Sequence, residues 1–350
     1  MAEDRLRVAV ATPLSDELCA MIQEREPRVQ MVRDPELLPP MRHPADFAGD
    51  PDFSRTGDEQ RRFEEIIDGA DALYGIPDVD PKALKRAVDA NSRLRWVQVM
   101  AAGGGGQVKA AGLEPQQLER VSFTTSAGVH GGPLAEFALF GLLAGAKSLP
   151  RLQRQQSAHV WSGRWEMAQL SEQTVLVLGL GGIGTEIARL LSAFGATVIG
   201  TARHEREVEG VDEFVHPDSI ADVAHRVDAA VVALPGTSAT EKLVGERFFA
   251  AAQRGLTVVN VGRGTVIDED ALVRALDDGT VGFAALDVVA SEPLSTDSPL
   301  WDHPNVLLSP HTAALNAAEE RRIAELFADN ATRLLDGRPL RNLVDTVDFY

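Results

Sequence analysis

Three short segments place chemically active side chains directly after apolar runs that have the character of strands. "LTVVNVGRGTV" puts Arg263 between two glycines, "VGFAALDVVASEPL" puts Asp287 at a strand end and Glu292 beyond it, and "NVLLSPHTAA" puts His311 after a strand. Open α/β sheets carry their sites at such strand ends. Histidine exchanges protons near neutral pH, a carboxylate stabilises the imidazolium, and an arginine fork suits a carboxylate or keto oxygen. The combination predicts a redox site. The alternatives are that His311 only caps a helix and that Glu292 is a solvated acid in a loop.

A glycine-rich turn predicts the site of a dinucleotide. "VLVLGLGGIGTEIARLL" has the spacing G-x-G-x-x-G between an apolar strand and an amphipathic helix. Gly179 permits a tight turn, Gly181 lets the backbone approach a pyrophosphate, and Gly184 lets the helix pack against the strand. The N–H groups at Gly182 and Ile183, with the helix dipole, face the phosphates. The alternative is a purely structural strand–turn–helix.

The second strand of this unit ends without the acid that usually binds the ribose hydroxyls of NAD. It is followed by Ala202, Arg203 and His204. Because no carboxylate repels a 2′-phosphate and Arg206 lies nearby, we expect NADP(H) to be preferred over NAD(H). A solvated loop is the alternative, since three glutamates within 205–209 partly cancel the positive charge.

These residues need an α/β framework, and the chain alternates β-branched strands with amphipathic helices. We predict a Rossmann-type doubly wound parallel sheet plus a second, flavodoxin-like α/β substrate domain. The substrate domain is expected to be discontinuous (1–125 and 316–350), with the dinucleotide-binding domain at 126–315. A long loop or lid is expected at 39–59, a long helix at 130–149 and a last helix at about 316–335. The predicted strands are 5–10, 29–32, 72–74, 96–99, 121–124, 174–178, 197–201, 211–215, 229–234, 257–261, 282–288 and 305–309.

Composition excludes several classes of protein. The 350 residues are 44% hydrophobic, and the formal net charge of −18 disfavours nucleic-acid binding. The apolar stretch 137–146 is about half as long as a membrane helix requires. The one cysteine, Cys19, has helical spacing with apolar neighbours and is expected to be buried. With no signal peptide visible, we expect a cytoplasmic protein that binds no metal, nucleic acid or membrane.

From about residue 5 to 345, the chain resembles the D-isomer-specific 2-hydroxyacid dehydrogenases, in particular the glyoxylate/hydroxypyruvate reductase-like members. The glycine loop, "VNVGRG", "LDV…SEPL" and "SPLWDHPNVLLSPH" match the motifs of that family in order and spacing. The resemblance implies hydride transfer between NAD(P)(H) and a small 2-keto or 2-hydroxy acid of D configuration.

The resemblance also implies roles for individual residues. Arg263 would bind the substrate carboxylate and carbonyl, and His311 would be the general acid/base, paired with Glu292. Asp287 would hydrogen-bond the nicotinamide carboxamide. The formate-oxidising members differ at the position of Glu292, which argues against formate. The predicted cofactor site includes His311 and further loop positions beside the strands, namely Leu234, Pro235, Thr240, Val261 and Gly262.

Two further segments resemble family features. "QVMAAGGGGQ" resembles the substrate loop, in which backbone N–H groups of Ala102, Gly103 and Gly104 would take the carboxylate. A glycine run after a strand can form such an anion-binding nest, or a plain flexible turn. "HVWSGRWE", with Trp161 and Trp165, resembles the arm of the family's dimers, and two tryptophans in a polar stretch suggest cover by a partner. We therefore expect a homodimer.

Two other functions compete with this interpretation. A non-enzymatic dinucleotide-sensing protein of the same fold, such as a corepressor, can retain similar residues. A different Rossmann enzyme, such as an amino-acid dehydrogenase, is disfavoured because the substrate domain comes first in this chain.

Overall fold

Two compact units make up the chain. The computed structural model describes residues 5–202, 207–347 and 349. The first unit comprises Met1–His130 and Leu315–Tyr350, and the second comprises Gly131–Ala314. Each unit has its own parallel sheet and its own apolar core.

The first unit contains a five-stranded parallel sheet with the order β2-β1-β3-β4-β5. This is the flavodoxin-like order, in which ligand sites lie at the carboxyl ends of the strands. Its strands are β1 Leu6–Val10, β2 Val29–Val32, β3 Ala72–Tyr74, β4 Trp96–Gln98 and β5 Ser122–Thr124. Its helices are α1 Asp16–Arg25, α2 Gly57–Asp68, α3 Pro81–Ala90, α4 Gly105–Ala110, α5 Pro115–Arg120 and α12 Glu319–Leu335.

The C-terminal segment completes this unit. Phe327 of α12 stacks on Trp96 at 4.5 Å between ring centroids and meets Tyr74 edge-on at 5.1 Å. Farther along, the N–H of Val344 donates to the carbonyl of Phe123 at 2.8 Å. The last helix and the tail are therefore part of the first unit's core, although they follow the second unit in sequence.

The second unit contains a seven-stranded parallel sheet with the order β12-β11-β10-β9-β6-β7-β8. Counted from its first strand, this is the Rossmann order 3-2-1-4-5-6 with one strand added. The strands are β6 Thr174–Leu178, β7 Thr197–Thr201, β8 Glu213–Val215, β9 Ala229–Val232, β10 Leu256–Asn260, β11 Val281–Leu286 and β12 Val306–Leu308. The helices are α6 Gly131–Ala146, α7 Leu149–Ser157, α8 Gly182–Ala193, α9 Ile220–Val223, α10 Glu246–Ala251 and α11 Glu269–Asp277.

The 39–59 segment differs from the predicted loop. Helix α2 begins inside it, where Thr56 and Glu59 form a reciprocal capping box. That pattern was readable in the sequence as T-x-x-E, and the prediction of a loop up to residue 59 overlooked it. The remainder is joined to the last helix, because the N–H of Ala45 donates to Oε1 of Glu320 at 3.0 Å.

Two helix predictions also need correction. The predicted helix 130–149 is two helices, α6 and α7, and Ser148 between them has a left-handed φ of 54°. The last helix begins at Glu319 rather than near 316.

In the part of the chain that the structure describes, no helix combines the length and apolar character that a membrane crossing requires.

Candidate active site

The glycine loop between β6 and α8 has the backbone geometry that its sequence requires. Gly179 has φ of +95°, a region that L side chains rarely adopt. A Cβ on Gly184 would lie 1.8 Å from the carbonyl oxygen of Gly179, so only glycine lets the helix approach the strand this closely. At Gly181 a Cβ would meet nothing within 4 Å, which leaves the backbone open to a ligand. The first N–H groups of a 12-residue helix follow immediately, without intrahelical acceptors.

The end of β7 adjoins this loop. The N–H of Gly179 donates to Oγ1 of the buried Thr201 at 3.0 Å. The sequence interpretation overlooked Thr201, whose signal was a polar residue at the end of a buried strand. Ala202 follows directly, at the position where an acid is missing. The predicted contacts Arg203 and His204 lie outside the described residues.

Arg263 is held on a narrow turn after β10. A Cβ on Gly262 would lie 2.6 Å from the carbonyl oxygen of Leu234, and one on Gly264 would lie 1.8 Å from the carbonyl carbon of Val289. Both neighbours of Arg263 are therefore glycines for reasons of space. The exposed Arg263 guanidinium donates from Nη1 to the carbonyl of Gly262 at 2.8 Å.

Asp287 organises the turn that carries His311. It follows β11, is 2% exposed, and its Oδ1 accepts from the Ser309 hydroxyl at 2.7 Å. The same oxygen accepts from the N–H groups of Thr312 and Ala313, each at 3.0 Å. The N–H of His311 donates to the Asp287 carbonyl at 2.8 Å. These bonds surround a histidine with φ of 54°, a conformation that side-chain-bearing residues adopt only where their surroundings enforce it.

His311 and Glu292 form a direct pair. Nδ1 of the ring lies 2.7 Å from Oε2 of the carboxylate, and the two side chains are 46% and 38% exposed. The other carboxylate oxygen accepts from the N–H of Val289 at 3.3 Å. The structure thus brings together the two residues that the sequence placed 19 positions apart. Because Glu292 takes Nδ1, Nε2 is the ring atom that can exchange a proton with a substrate.

The other predicted cofactor positions lie on the neighbouring loops. The side chain of Leu234 lies against Gly179, where a Cβ would meet its Cδ2 at 2.8 Å. Oγ1 of Thr240 donates to the carbonyl of Pro235 at 2.6 Å, which closes the turn after β9. Val261 is buried at 2% exposure, so its side chain belongs to the core and only its backbone can meet a ligand.

The predicted substrate loop lies in the first unit, after β4. Ala102 and Gly103 form a turn, and Gly104 precedes the short helix α4. A Cβ on Gly104 would lie 2.3 Å from Cγ1 of Val99, so close packing explains this glycine. Substrate binding by Ala102, Gly103 and Gly104 stays a prediction.

The second unit therefore presents a glycine loop suited to phosphates and, on loops after β10, β11 and β12, an arginine and a histidine–carboxylate pair. This set can orient a carboxylate and move a proton at an adjacent oxygen. Within the described ranges, no three His, Cys, Asp or Glu side chains are grouped as a metal ion requires.

The chain is similar to known proteins. Residues 139–313 match the family model described as D-isomer specific 2-hydroxyacid dehydrogenase, NAD binding domain. A glyoxylate reductase from Aeropyrum pernix is 31% identical over 290 residues, covering 79% of this chain and 83% of that protein.

Two solved structures resemble the whole chain. A D-isomer specific 2-hydroxyacid dehydrogenase from Xanthobacter autotrophicus Py2, in complex with NADPH and MES, has a TM-score of 0.76 at 27% identity and covers 99% of this chain and 100% of its own. An NADPH-dependent glyoxylate/hydroxypyruvate reductase from Sinorhizobium meliloti, in complex with NADP and sulfate, has a TM-score of 0.75 at 25% identity with the same coverage.

Proposed function

Because the chain belongs to the D-isomer specific 2-hydroxyacid dehydrogenase family and is an NAD(P)-dependent oxidoreductase, we propose that Arg263, Glu292 and His311 carry out its reaction on a small 2-keto or 2-hydroxy acid of D configuration. The dinucleotide supplies or accepts the hydride when it is bound. The observation that carries the proposal is the accessible His311–Glu292 contact of 2.7 Å beside the Arg263 turn. The named relatives are reductases and dehydrogenases, which favours an enzyme over a dinucleotide-sensing binding protein.

His311 moves the proton. In the direction of reduction, Nε2 donates to the oxygen of the keto group, and in oxidation it accepts the proton of the hydroxyl. The Glu292 carboxylate at Nδ1 holds the ring in one tautomer and stabilises the imidazolium. The Asp287 hydrogen bonds fix the turn on which His311 stands.

Arg263 binds the carboxylate and carbonyl of the substrate. Its guanidinium presents a planar fork that matches two oxygens at once. The contact to the Gly262 carbonyl uses Nη1, which leaves other N–H donors for the substrate. Lysine keeps the charge and loses the fork, so Arg263→Lys is expected to raise KM or lower kcat markedly.

The decisive experiment is a panel of 2-keto acids, including glyoxylate, hydroxypyruvate, pyruvate and a branched 2-keto acid, assayed with NADPH and NADH. Turnover of at least one keto acid, reduced in Arg263→Lys, supports the proposal. Binding of either dinucleotide with no turnover on the panel would assign the protein to the sensing class instead.

We further propose that the second unit binds the dinucleotide and prefers NADP(H). The open backbone at Gly181 and the start of α8 fit a pyrophosphate, and Thr201 joins the end of β7 to this loop. Ala202 follows with no acid, and both solved relatives named above hold NADPH or NADP.

The cofactor test compares kcat/KM for NADPH and NADH in the wild type, Arg203→Ala and Ala202→Asp. One charge-assisted contact to a 2′-phosphate gives roughly 10- to 100-fold discrimination. We expect a wild type that prefers NADPH and an Ala202→Asp variant that loses this preference. A wild type that prefers NADH would refute the proposal.

A homodimer is proposed from an exposed apolar surface in the second unit. Trp161 is 101% exposed, Val160 54% and Phe140 49%. Trp165 is half-buried beneath the Arg151 guanidinium, 4.0 Å from its ring centroid. Large exposed apolar patches mark protein–protein contacts, and two tryptophans in a polar stretch fit such a contact. Sedimentation velocity at micromolar concentration is expected to give a dimer, and Trp161→Ser is expected to shift it towards monomer.

A further inference from the structure

The side chain of Asn260 makes two hydrogen bonds to the turn that carries Arg263. Asn260 is the last residue of β10 and is 1% exposed. Its Oδ1 accepts from the N–H of Gly262 at 3.0 Å, and its Nδ2 donates to the carbonyl of Arg263 at 3.1 Å. Its side chain therefore spans the peptide units on both sides of the Arg263 N–H.

The backbone carbonyl of the same residue connects a second loop. It accepts from the N–H of Asp287 at 3.0 Å, and the Asp287 carbonyl in turn accepts from the N–H of His311 at 2.8 Å. A continuous series of hydrogen bonds thus runs from the Arg263 turn through Asn260 and Asp287 to the His311 turn. Every link in this series lies within the second unit.

We infer that Asn260 is a positioning residue, which sets the direction of the Arg263 guanidinium by fixing the backbone of 262–263. This inference rests on the proposed role of Arg263 in binding the substrate. The glycines beside Arg263 have no side chains to hold the turn, and their packing against 234 and 289 blocks displacement on those sides. The Asn260 amide holds the turn through hydrogen bonds to its backbone.

Only an amide of this length serves both partners. Asparagine offers a donor and an acceptor on one planar group, as the Gly262 N–H and the Arg263 carbonyl require. Aspartate retains the acceptor but has no donor, so it places a carboxylate oxygen against the Arg263 carbonyl. Serine is too short to reach both groups. Asn260→Asp and Asn260→Ser therefore disrupt these two hydrogen bonds in different ways.

The chain offers a matched control in the first unit. Asn91 is 2% exposed, its Nδ2 donates to the carbonyls of Ile67 and Ala70, and its Oδ1 accepts from the N–H of Arg93. It thus closes a turn with the same chemistry before the amino end of β4, whereas the predicted substrate loop follows the carboxyl end of that strand. Asn91→Asp reports what the loss of a buried amide donor does to stability alone.

The experiment measures kcat and KM for a 2-keto acid that the wild type turns over, at saturating NADPH, together with the thermal midpoint and the Kd for NADPH. In Asn260→Asp and Asn260→Ser we expect kcat/KM to fall roughly 10- to 100-fold, chiefly through KM, because a small misplacement of a substrate-positioning group has that effect. Asn91→Asp is expected to lower the thermal midpoint and leave kcat and KM unchanged.

A double-mutant cycle separates positioning from simple destabilisation. If Asn260 acts through Arg263, adding Asn260→Asp to Arg263→Lys lowers kcat/KM by less than about threefold more, since the two changes remove one interaction. Additive losses, unchanged kinetics in the Asn260 variants, or unfolding of both variants would overturn the inference. A normal Arg263→Lys enzyme would instead overturn the proposed role of Arg263, and a wild type without turnover would overturn the proposed function.

Discussion

The molecule contains two histidine–glutamate contacts of nearly equal length in very different surroundings. His311 and Glu292 meet at 2.7 Å with side chains 46% and 38% exposed. His130 and Glu319 meet at 2.8 Å with side chains 11% and 5% exposed. The first contact lies on turns after strands of the second unit, and the second contact lies inside the first unit. Residue types and distance are thus almost the same, and solvent access differs.

The buried contact is also the less satisfied one. His130 Nδ1 and Glu319 Oε2 are buried and have no hydrogen-bond partner among the described residues. His130 is the last residue before the chain leaves the first unit, and Glu319 opens α12 soon after its return. Such a pair stabilises the fold only while both partners are present, because removing one leaves a buried group without its partner.

The difference in solvent access suits the first pair to proton transfer and the second pair to a structural role. A proton can pass to a substrate only from a ring that the substrate can reach, which His311 satisfies and His130 does not. An exposed ion pair contributes little to the free energy of unfolding, whereas removing one partner of a buried pair lowers that free energy strongly. The comparison therefore predicts opposite phenotypes for the same substitution at the two histidines.

The largest effect is expected for His311→Ala. Loss of the general acid/base lowers kcat roughly 10²- to 10⁴-fold. The thermal midpoint is expected to change little, because the pair is half exposed. Steady-state kinetics with a turned-over 2-keto acid, beside a thermal melt, measure both. Wild-type-like turnover would remove His311 from the mechanism.

His130→Ala is expected to show the reverse pattern. Breaking the buried pair costs about 3 kcal/mol in the free energy of unfolding, since Glu319 is left unpaired. At 25 °C, kcat per folded molecule should stay close to wild type. Urea denaturation gives the free energy. The double variant His130→Leu/Glu319→Met is the control, because it removes both polar partners and is expected to recover most of the stability.

Glu292→Gln is expected to have an intermediate effect on activity. The ring keeps a hydrogen-bonding neighbour but loses the carboxylate that stabilises the imidazolium, so kcat falls roughly 10- to 100-fold. Glu319→Gln in the buried pair is the matched comparison and should alter stability rather than kcat. Equal kcat in Glu292→Gln and wild type would mean that Glu292 does not support His311.

Sequence patterns were sufficient to find the accessible pair and insufficient to find the buried one. His311 and Glu292 follow apolar strands within motifs of fixed spacing, so their place at a sheet edge could be predicted. His130 stands at the start of a glycine-rich helical segment, and Glu319 follows 189 positions later in an acidic helix start. Nothing local links them, because only the return of the chain into the first unit brings them together.

The same distinction applies to the fold. Both sheets could be predicted because buried strands and amphipathic helices have local periodicities. The hydrogen bonds of Thr201, of Asp287 and of the Asn260 backbone carbonyl instead depend on which strands are neighbours. The predicted loop at 39–59 was wrong at its end despite the local signal for a helix start, since the Pro- and Gly-rich composition of the segment outweighed the capping box at Thr56.

The smallest expected effect on stability concerns another buried carboxylate of the first unit. Glu26 is 4% exposed, and both its oxygens accept from the Arg28 guanidinium, at 2.8 and 2.7 Å. This hydrogen bonding lowers the pKa of Glu26 from the usual 4.5 to about 2. Because the folded-state pKa lies below the unfolded one, the stabilisation is complete above pH 4.5 and is lost as the pH falls towards 2.

Glu26→Gln tests this linkage. At pH 7 we expect the variant to unfold with a free energy about 1–2 kcal/mol below that of the wild type. Urea denaturation at pH 7, 5 and 3.5 should show this difference narrowing below pH 4.5, because protonation removes the wild type's advantage. Glu292→Gln serves as the exposed control and should show almost no difference in stability at any of these pH values. A Glu26→Gln deficit that stayed constant down to pH 3.5 would show that packing, rather than the charge on Glu26, stabilises this corner of the first unit.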